Sequence, residues 1–315
     1  MRSHLKFAAI DIGSNAVRLL LSAVFEGRNS ATFRKISLIR MPIRLGDDAF
    51  SQKRISEEKA SQLIQTMLGF MHFIIAYRPL RYMACATSSM REAENGSEVG
   101  VRILEQTGIN IDIIDGTKEA QILLKNHGKK SFNGNRNYLY VDIGGGSTEI
   151  TLFSRGLIIA SGSFNIGTIR LLKNIAPKAE WARMKVWLNK HTSPYDSLVA
   201  IGSGGNINKT FRLANRKTGK SLSYNKIKEV RRFLRNFSVR QRVTKLALRP
   251  DRADVIVPAL GIYLKVMKWA GIKKMYVPEV GLADGMVRIL YDKFQQSKPT
   301  TDQKVSNLIS FTASA

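Results

Sequence analysis

The feature that most limits what this chain can fold into occurs twice. Phe7-Ala-Ala-Ile-Asp-Ile-Gly-Ser-Asn15 runs into the apolar stretch Val17 to Phe25. Tyr138-Leu-Tyr-Val-Asp-Ile-Gly-Gly-Gly-Ser-Thr148 runs into Glu149 to Phe153. Each copy reads as strand, Asp-Ile-Gly turn, strand. Asp11 and Asp142 stand 131 residues apart, a plausible domain length within a chain of 315. The economical expectation is two similar domains, 1–124 and 125–295, followed by a tail over 296–315 that lacks periodicity and is expected to fray.

The intervening segments support an α/β class. Val17 to Phe25, Ala31 to Arg40, Arg81 to Ala86 and Ile109 to Ile114 read as strands. Glu57 to Tyr77 has helical spacing, with Leu63, Met67, Phe70, Ile74 and Tyr77 as its apolar stripe, Ser56 as N-cap and Pro79 beyond its end. Helices follow over Gly96 to Thr107 and Gly116 to Asn126. The second half repeats the order. Its strands are Tyr138 to Asp142, Thr148 to Phe153, Leu157 to Phe164, Leu198 to Ile201 and Met275 to Val277. Its helices are Ile169 to Ile175, Ala179 to Lys190, one after Gly202-Ser-Gly-Gly-Asn206, Tyr224 to Asn236, Asp254 to Ala270 and Asp284 to Phe294. Strands alternating with helices predict mixed sheets flanked by helices.

Charge separates the halves. The chain carries 50 Lys and Arg against 24 Asp and Glu, a net of +26. Residues 1–124 hold 16 basic and 13 acidic residues, whereas 125–295 hold 32 and 10, and 209–252 alone hold 15 and 2. A field of that sign attracts polyanions, although charge speaks to partners and not to a reaction. Aromatic residues are not interleaved with the basic run, so a phosphate polymer is a better fit than nucleic acid. Pairs such as Arg231-Arg232 read as a solvated helix face. The single cysteine, Cys85, excludes an intramolecular disulfide and suits a reducing cytoplasm. No apolar run has the length of a membrane span, and Asp11 breaks the apolar N-terminal stretch too early for a signal peptide. The histidines His4, His72, His127 and His191 have no metal-ligand spacing, and His72 is expected to be packed or half-buried.

The two turns suggest the chemistry. Glycine after a strand lets backbone N–H groups approach phosphate oxygens, and an aspartate at the strand end can hold Mg²⁺ together with those oxygens. One such turn is usually only structural. Two related turns, the second with Gly144, Gly145, Gly146, Ser147, Thr148 and Glu149, would clamp a phosphate chain between domains. A decoy also occurs: Ala214-Asn-Arg-Lys-Thr-Gly-Lys-Ser221 fits a loose P-loop, but it follows a helix where a working P-loop follows a buried strand.

Further segments make the chain recognisable: Asp11-Ile-Gly-Ser-Asn-Ala-Val-Arg18, Arg44-Leu-Gly46, Ala86-Thr-Ser-Ser-Met-Arg-Glu-Ala-Glu-Asn95, Gly116-Thr-Lys-Glu-Ala120, Asp142-Ile-Gly-Gly-Gly-Ser-Thr-Glu149, Gly202-Ser-Gly-Gly-Asn206 and Arg252-Ala-Asp254. In this order, from about Phe7 to Tyr291, they resemble the exopolyphosphatase/guanosine pentaphosphate phosphohydrolase (Ppx/GppA) family of the actin, sugar kinase and Hsp70 superfamily. The resemblance implies two actin-like (ribonuclease H-like) domains around a cleft. It implies Mg²⁺-dependent release of a terminal phosphate from polyphosphate or of the 5′-phosphate from guanosine pentaphosphate (pppGpp), with Mn²⁺ as the alternative ion. The family's catalytic glutamate falls on Glu119, and its metal-associated acid on Asp142, with Glu149 nearby and Asp11 on the opposite loop. Its phosphate loops fall on Gly13, Ser14 and Asn15 and on Gly144 to Thr148. Its phosphate-facing arginines fall on Arg18 and Arg91, with Arg252 as a further candidate.

One position departs from the pattern. The first of two acids before Ala120 is here Lys118, which would either draw down the pKa of Glu119 or face solvent. The basic stretch 209–252 favours the polymer over pppGpp. Guanosine tetraphosphate as a partner and a homodimer are further expectations. A superfamily kinase and a non-catalytic polyanion binder are the rival readings.

Overall fold

The structure, a computed structural model, describes residues 4–27, 30–126, 136–155, 157–215 and 221–297. Two mixed sheets carry the architecture. The first contains β1 (Leu5–Ile12), β2 (Val17–Glu26), β3 (Ala31–Met41), β4 (Arg81–Ala86) and β5 (Asp112–Ile113), in the order β3-β2-β1-β4-β5. The second contains β6 (Asn137–Ile143), β7 (Thr148–Ser154), β8 (Leu157–Phe164), β9 (Leu198–Ser203), β10 (Ser221–Ser223) and β11 (Lys274–Tyr276), in the order β10-β11-β9-β6-β7-β8. In both sheets an antiparallel three-strand meander is followed by parallel neighbours. The sequence repeat is thus a repeat of topology, and the α/β expectation of mixed sheets holds.

The helices are α1 (Gly46–Gln52), α2 (Glu57–Tyr77), α3 (Ser88–Glu92), α4 (Gly96–Thr107), α5 (Gly116–Leu124), α6 (Thr168–Leu172), α7 (Lys178–Thr192), α8 (Gly205–Leu213), α9 (Tyr224–Arg235), α10 (Val239–Thr244), α11 (Pro250–Ala253), α12 (Ile256–Trp269) and α13 (Leu282–Gln296). Strand alternation explains how they are layered. Ala8, Ile10 and Ile12 of β1 face a core built with α1 to α4, while Phe7 and Ala9 face a second core with α5 and α13. That second core also takes Tyr138, Tyr140 and Ile201 from the other sheet, so α5 and α13 lie between the sheets. A third core joins the far face of the second sheet to α7, α8, α9 and α12.

Helix α13 belongs to the second half by sequence, yet it packs on β1 through Tyr291 and Phe294 against Phe7. Gly285 permits this packing. A Cβ there would stand 2.1 Å from the Ile122 carbonyl oxygen of α5, closer than any side chain allows. The half-way division at 124/125 remains a proposal, with α13 crossing back over it.

Several elements differ from the sequence expectation. The strand expected over Ile109 to Ile114 shortens to Asp112–Ile113, because the Ile109 N–H bonds the Thr107 hydroxyl and only Asp112 and Ile113 pair with β4. The helix expected over Asp254 to Ala270 is α12, which starts two residues later, at Ile256; Pro258, in its first turn, has no N–H to offer the Asp254 carbonyl. His72 is exposed on α2, whereas Leu63, Met67 and Phe70 of the same helix are buried. The Ser56 hydroxyl does cap α2, accepting from the Lys59 N–H. Helices α1, α3, α10 and α11 and strand β10 have no counterpart in the expectation; all are too short to show a period. His127, residues 298–315 of the tail and residues 216–220 of the P-loop decoy lie outside the described residues. Among the described residues no helix is long and apolar enough to cross a membrane.

Candidate active site

The two hairpins present equivalent positions with different chemistry. Asp11 pairs across its hairpin with Arg18, and Asp142 pairs at the same register with Glu149. In the first turn Gly13 N–H bonds the Ala16 carbonyl; in the second Gly144 N–H bonds the Ser147 carbonyl. The first hairpin is therefore internally neutral, with Arg18 Nη1 donating to Asp11 Oδ2 at 2.5 Å. The second places two carboxylates opposite each other, an arrangement that is unfavourable unless a cation is nearby.

Helix α5 adds a third acid. Asp115 caps it, its carboxylate accepting from the Lys118 N–H at 2.7 Å. That cap starts the helix so that Glu119, in its first turn, is buried while Lys118 is exposed. The first residue of α5, Gly116, lies against Glu149: a Cβ there would be 3.8 Å from Glu149 Cγ. Burial, then the charges of Glu149, Asp142 and Asp11, push the Glu119 carboxyl well above the ordinary carboxylate range. Arg91 pulls the other way. Lys118 thus takes the solvent-facing alternative, and the positive charge beside Glu119 comes from α3. Arg91 Nη1 donates to the Ile114 carbonyl at 2.6 Å, which holds the guanidinium at that place.

The remaining acids respond in the same sense. Burial, and then Asp11, push Asp142 up to about 6, against the pull of Arg18 and of hydrogen bonds from Ser203 and Ile143. Burial raises Glu149, opposed most by its bond from Ser147. Ser163 also donates to Glu149 Oε1 at 3.2 Å. Four acids from both halves share one electrostatic neighbourhood in which Arg18 and Arg91 only partly neutralise them. The donors are all hard oxygens, the set a divalent ion such as Mg²⁺ takes. Among the described residues no three or more His, Cys, Asp or Glu side chains converge as a metal cage. That also suits Mg²⁺, which uses one or two carboxylates and completes its shell with water and phosphate oxygens. Asp11 is taken up by Arg18, whereas Asp142 and Glu149 accept from no arginine among the described residues and could hold such an ion.

The glycine turn has a defined polarity. The Gly144 carbonyl accepts from Thr168 N–H, the Gly145 carbonyl from Ile169 N–H, and the Gly146 carbonyl from Arg170 Nε at 2.8 Å. In a trans peptide the N–H points opposite to its own carbonyl. The N–H groups of Gly145, Gly146 and Ser147 therefore point away from α6, and none makes a bond among the described residues. Three such donors form a nest for an anion. Their glycines are needed for space: a Cβ on Gly145 would be 2.9 Å from Ser14 Cβ, and one on Gly146 would be 2.2 Å from Phe50 Cζ.

Sequence reasoning missed Arg170. Its side chain is buried, lies over the Phe50 ring at 4.4 Å and pairs with Glu92 of α3. It ties the glycine turn to the first half. The only sequence signal is an arginine followed by two leucines in a short helix, which does not announce a buried ion pair.

Other expected phosphate ligands are placed as follows. Ser14 and Ser88 share a hydrogen bond at 2.9 Å. Asn15 gives its amide to the Asp251 carbonyl and carboxylate, at 2.9 and 3.2 Å, leaving its backbone N–H for an anion. The Thr148 hydroxyl donates to the Ile166 carbonyl and is committed to the fold. Arg252 lies against Gly205, where a Cβ would be 2.6 Å from its Nη2. Its guanidinium has no hydrogen-bond partner among the described residues. Burial, then Arg40, push its pKa down to about 10, with Asp251 opposing.

The chain is 24% identical over 306 residues to Exopolyphosphatase 1 of Mycobacterium leprae, covering 90% of this chain and 88% of that one. It is 23% identical over 310 residues to Exopolyphosphatase 2 of Mycobacterium tuberculosis, covering 89% and 97%. A 34% identical match over 169 residues to a bifunctional 3-dehydroquinate synthase/phosphatase of Fusobacterium nucleatum spans 52% of this chain and a quarter of that protein. Among solved structures, an exopolyphosphatase from Cytophaga hutchinsonii superposes with a TM-score of 0.79 at 21% identity, over 91% of this chain and 98% of that one. A Ppx/GppA family member from Aquifex aeolicus gives 0.74 at 23%, over 94% and 100%. These share the actin-like fold. The sequence profile of the Ppx/GppA phosphatase family matches residues 24–294, and the chain belongs to that family.

Proposed function

We propose that the protein is a phosphoanhydride hydrolase that removes the terminal phosphate of inorganic polyphosphate. The observation that carries this reading is the buried Glu119 of one half, set against Asp142 and Glu149 of the other. The free N–H groups of Gly145, Gly146 and Ser147, in the same turn as Glu149, supply a place for the phosphoryl oxygens. Family membership and the two exopolyphosphatase relatives support the substrate class.

Phosphoryl transfer needs in-line positioning of water and neutralisation of charge on the phosphoryl oxygens. The glycine turn orients the terminal phosphate. Arg91 and Arg18 lie on the first-half side, and Arg252, a cation without a partner, on the second-half side. Glu119 accepts a proton from the attacking water. The water oxygen bonds to phosphorus, the bridging P–O bond breaks, and its electron pair leaves on the shortened chain. Asp142 and Glu149 would hold the divalent ion, Mg²⁺ or Mn²⁺, which supplies electrophilic stabilisation of the phosphate oxygens. Neutralising those carboxylates would also remove their repulsion and draw the Glu119 pKa down, toward the ionised state a general base requires. The 5′-phosphate of pppGpp presents the same anhydride and is a second substrate of the same proposal.

The test is Glu119→Gln, assayed for phosphate release from polyphosphate and pppGpp with Mg²⁺ or Mn²⁺. We expect kcat to fall by roughly 10² to 10⁴ while substrate binding is retained. Phosphate release at the parental rate would remove Glu119 from its role.

A further inference from the structure

The excess positive charge of the second half is not evenly spread. Helix α9 carries Lys228, Arg231, Arg232 and Arg235 at i, i+3, i+4 and i+7, one face of the helix, lining an open groove of about 560 Å³. None of the four forms an ion pair among the described residues, and the one acid in the groove, Glu229, is bound by Lys226 at 2.8 Å. Arg231 Nε donates to the Val257 carbonyl, which holds one guanidinium against α12. Four cations gathered around a single acid raise the local potential and favour an anion longer than one phosphate.

One side chain ties the end of this helix to α11, which carries Arg252. The buried Arg242 donates from Nε to the Leu234 carbonyl and from Nη1 to the Ala253 carbonyl, both at 2.9 Å. One guanidinium therefore spans the gap between the end of α9 and α11. The residues next to its two acceptors are Arg235 and Arg252, the latter the unpartnered cation described above. Among the described residues no aromatic ring lines this groove. Phe233 stands five residues from Lys228, about 140° around the helix, and its ring meets Phe237 at 5.1 Å. A surface of cations without stacking platforms suits an inorganic phosphate chain better than single-stranded nucleic acid.

We infer that the α9 face is a second, remote binding site that holds the distal part of a long inorganic phosphate chain while its end occupies the cleft. This rests on the proposed function, since the chain must terminate at Glu119 for the two sites to act together.

The test compares the full chain with a Lys228→Gln, Arg232→Gln, Arg235→Gln variant. Neither the catalytic groups nor Arg231 is altered, and circular dichroism checks folding. KM and kcat are measured on tripolyphosphate, three phosphates long, and on chains of several hundred phosphates. We expect the long-chain KM to rise roughly tenfold and its log–log salt slope to flatten by about two, with tripolyphosphate kinetics unchanged. An unchanged long-chain KM overturns the inference. So does an equal loss on both substrates, which would mean a field acting on the cleft alone. Binding of the long chain in EDTA, with single-stranded DNA as competitor, gives a readout free of turnover. Weaker polyphosphate binding by the variant supports the inference; loss of DNA binding alone overturns it. If neither substrate is hydrolysed, the proposed activity fails, and the binding comparison still decides the α9 face.

Discussion

Asp142→Asn should stabilise the metal-free protein, and only above a defined pH. The Asp142 carboxyl is raised from its ordinary 3.8 to about 6, first by burial and then by Asp11. The folded state therefore binds this proton more tightly than the unfolded chain. The stabilising contribution is fully present below pH 4, and it is lost as pH rises through about 6. A displacement of this size is worth about 2–3 kcal/mol, after allowing for the partial exposure of the side chain. Asparagine keeps an oxygen to accept from Ser203 and the Ile143 N–H, and it carries no charge to desolvate. Thermal melts of both proteins in EDTA from pH 4 to 8 measure the gap between them; the pH response shared with the remaining charges of this basic chain cancels in the difference. The variant should melt roughly 3–5 °C higher at pH 8, and the gap should close by pH 4. A gap that is constant with pH, or one that favours the parent at pH 8, would refute the crowding of carboxylates deduced from the structure.

Arg170→Ala should destabilise the protein by about 3–5 kcal/mol, because it leaves Glu92 in the interface without its partner and frees the Gly146 carbonyl. Denaturant melts of Arg170→Ala, Glu92→Ala and the double variant would show coupling, and strictly additive losses would contradict the pairing. Burial, then Asp112 and Asp11, push the Cys85 thiol up to about 12, so the native protein should resist alkylation at pH 8 and react once unfolded in denaturant. Rapid labelling of the native state would contradict this placement.

The primary structure by itself determined the two hairpins and their turns. Strand alternation, an aspartate at each strand end and glycines after it are local signals, and each hairpin closes within about twenty residues. The quoted segments led to Glu119, Arg91 and the two aspartates, and the charge count pointed to the second half. The Ser56 cap and the buried stripe of α2 were equally readable, because capping and helical period are fixed by neighbours in the chain.

Only the tertiary structure decided which of these groups meet, because a site assembled between two halves depends on contacts far apart in sequence. Asp11 and Asp142 occupy equivalent turns, yet one faces Arg18 and the other Glu149. Local sequence shows both pairs but not that the second lies opposite Glu119 from α5. Asn15 was read as a phosphate ligand, and Asp251, 236 residues away, takes its amide. Arg170 reaches Glu92 across 78 residues, and α13 returns to the first sheet because Gly285 lets it approach α5. Burial, which raises the pKa of Glu119 and Asp142, is likewise a property of the packed interface, since no local stretch of chain removes its own carboxylate from water.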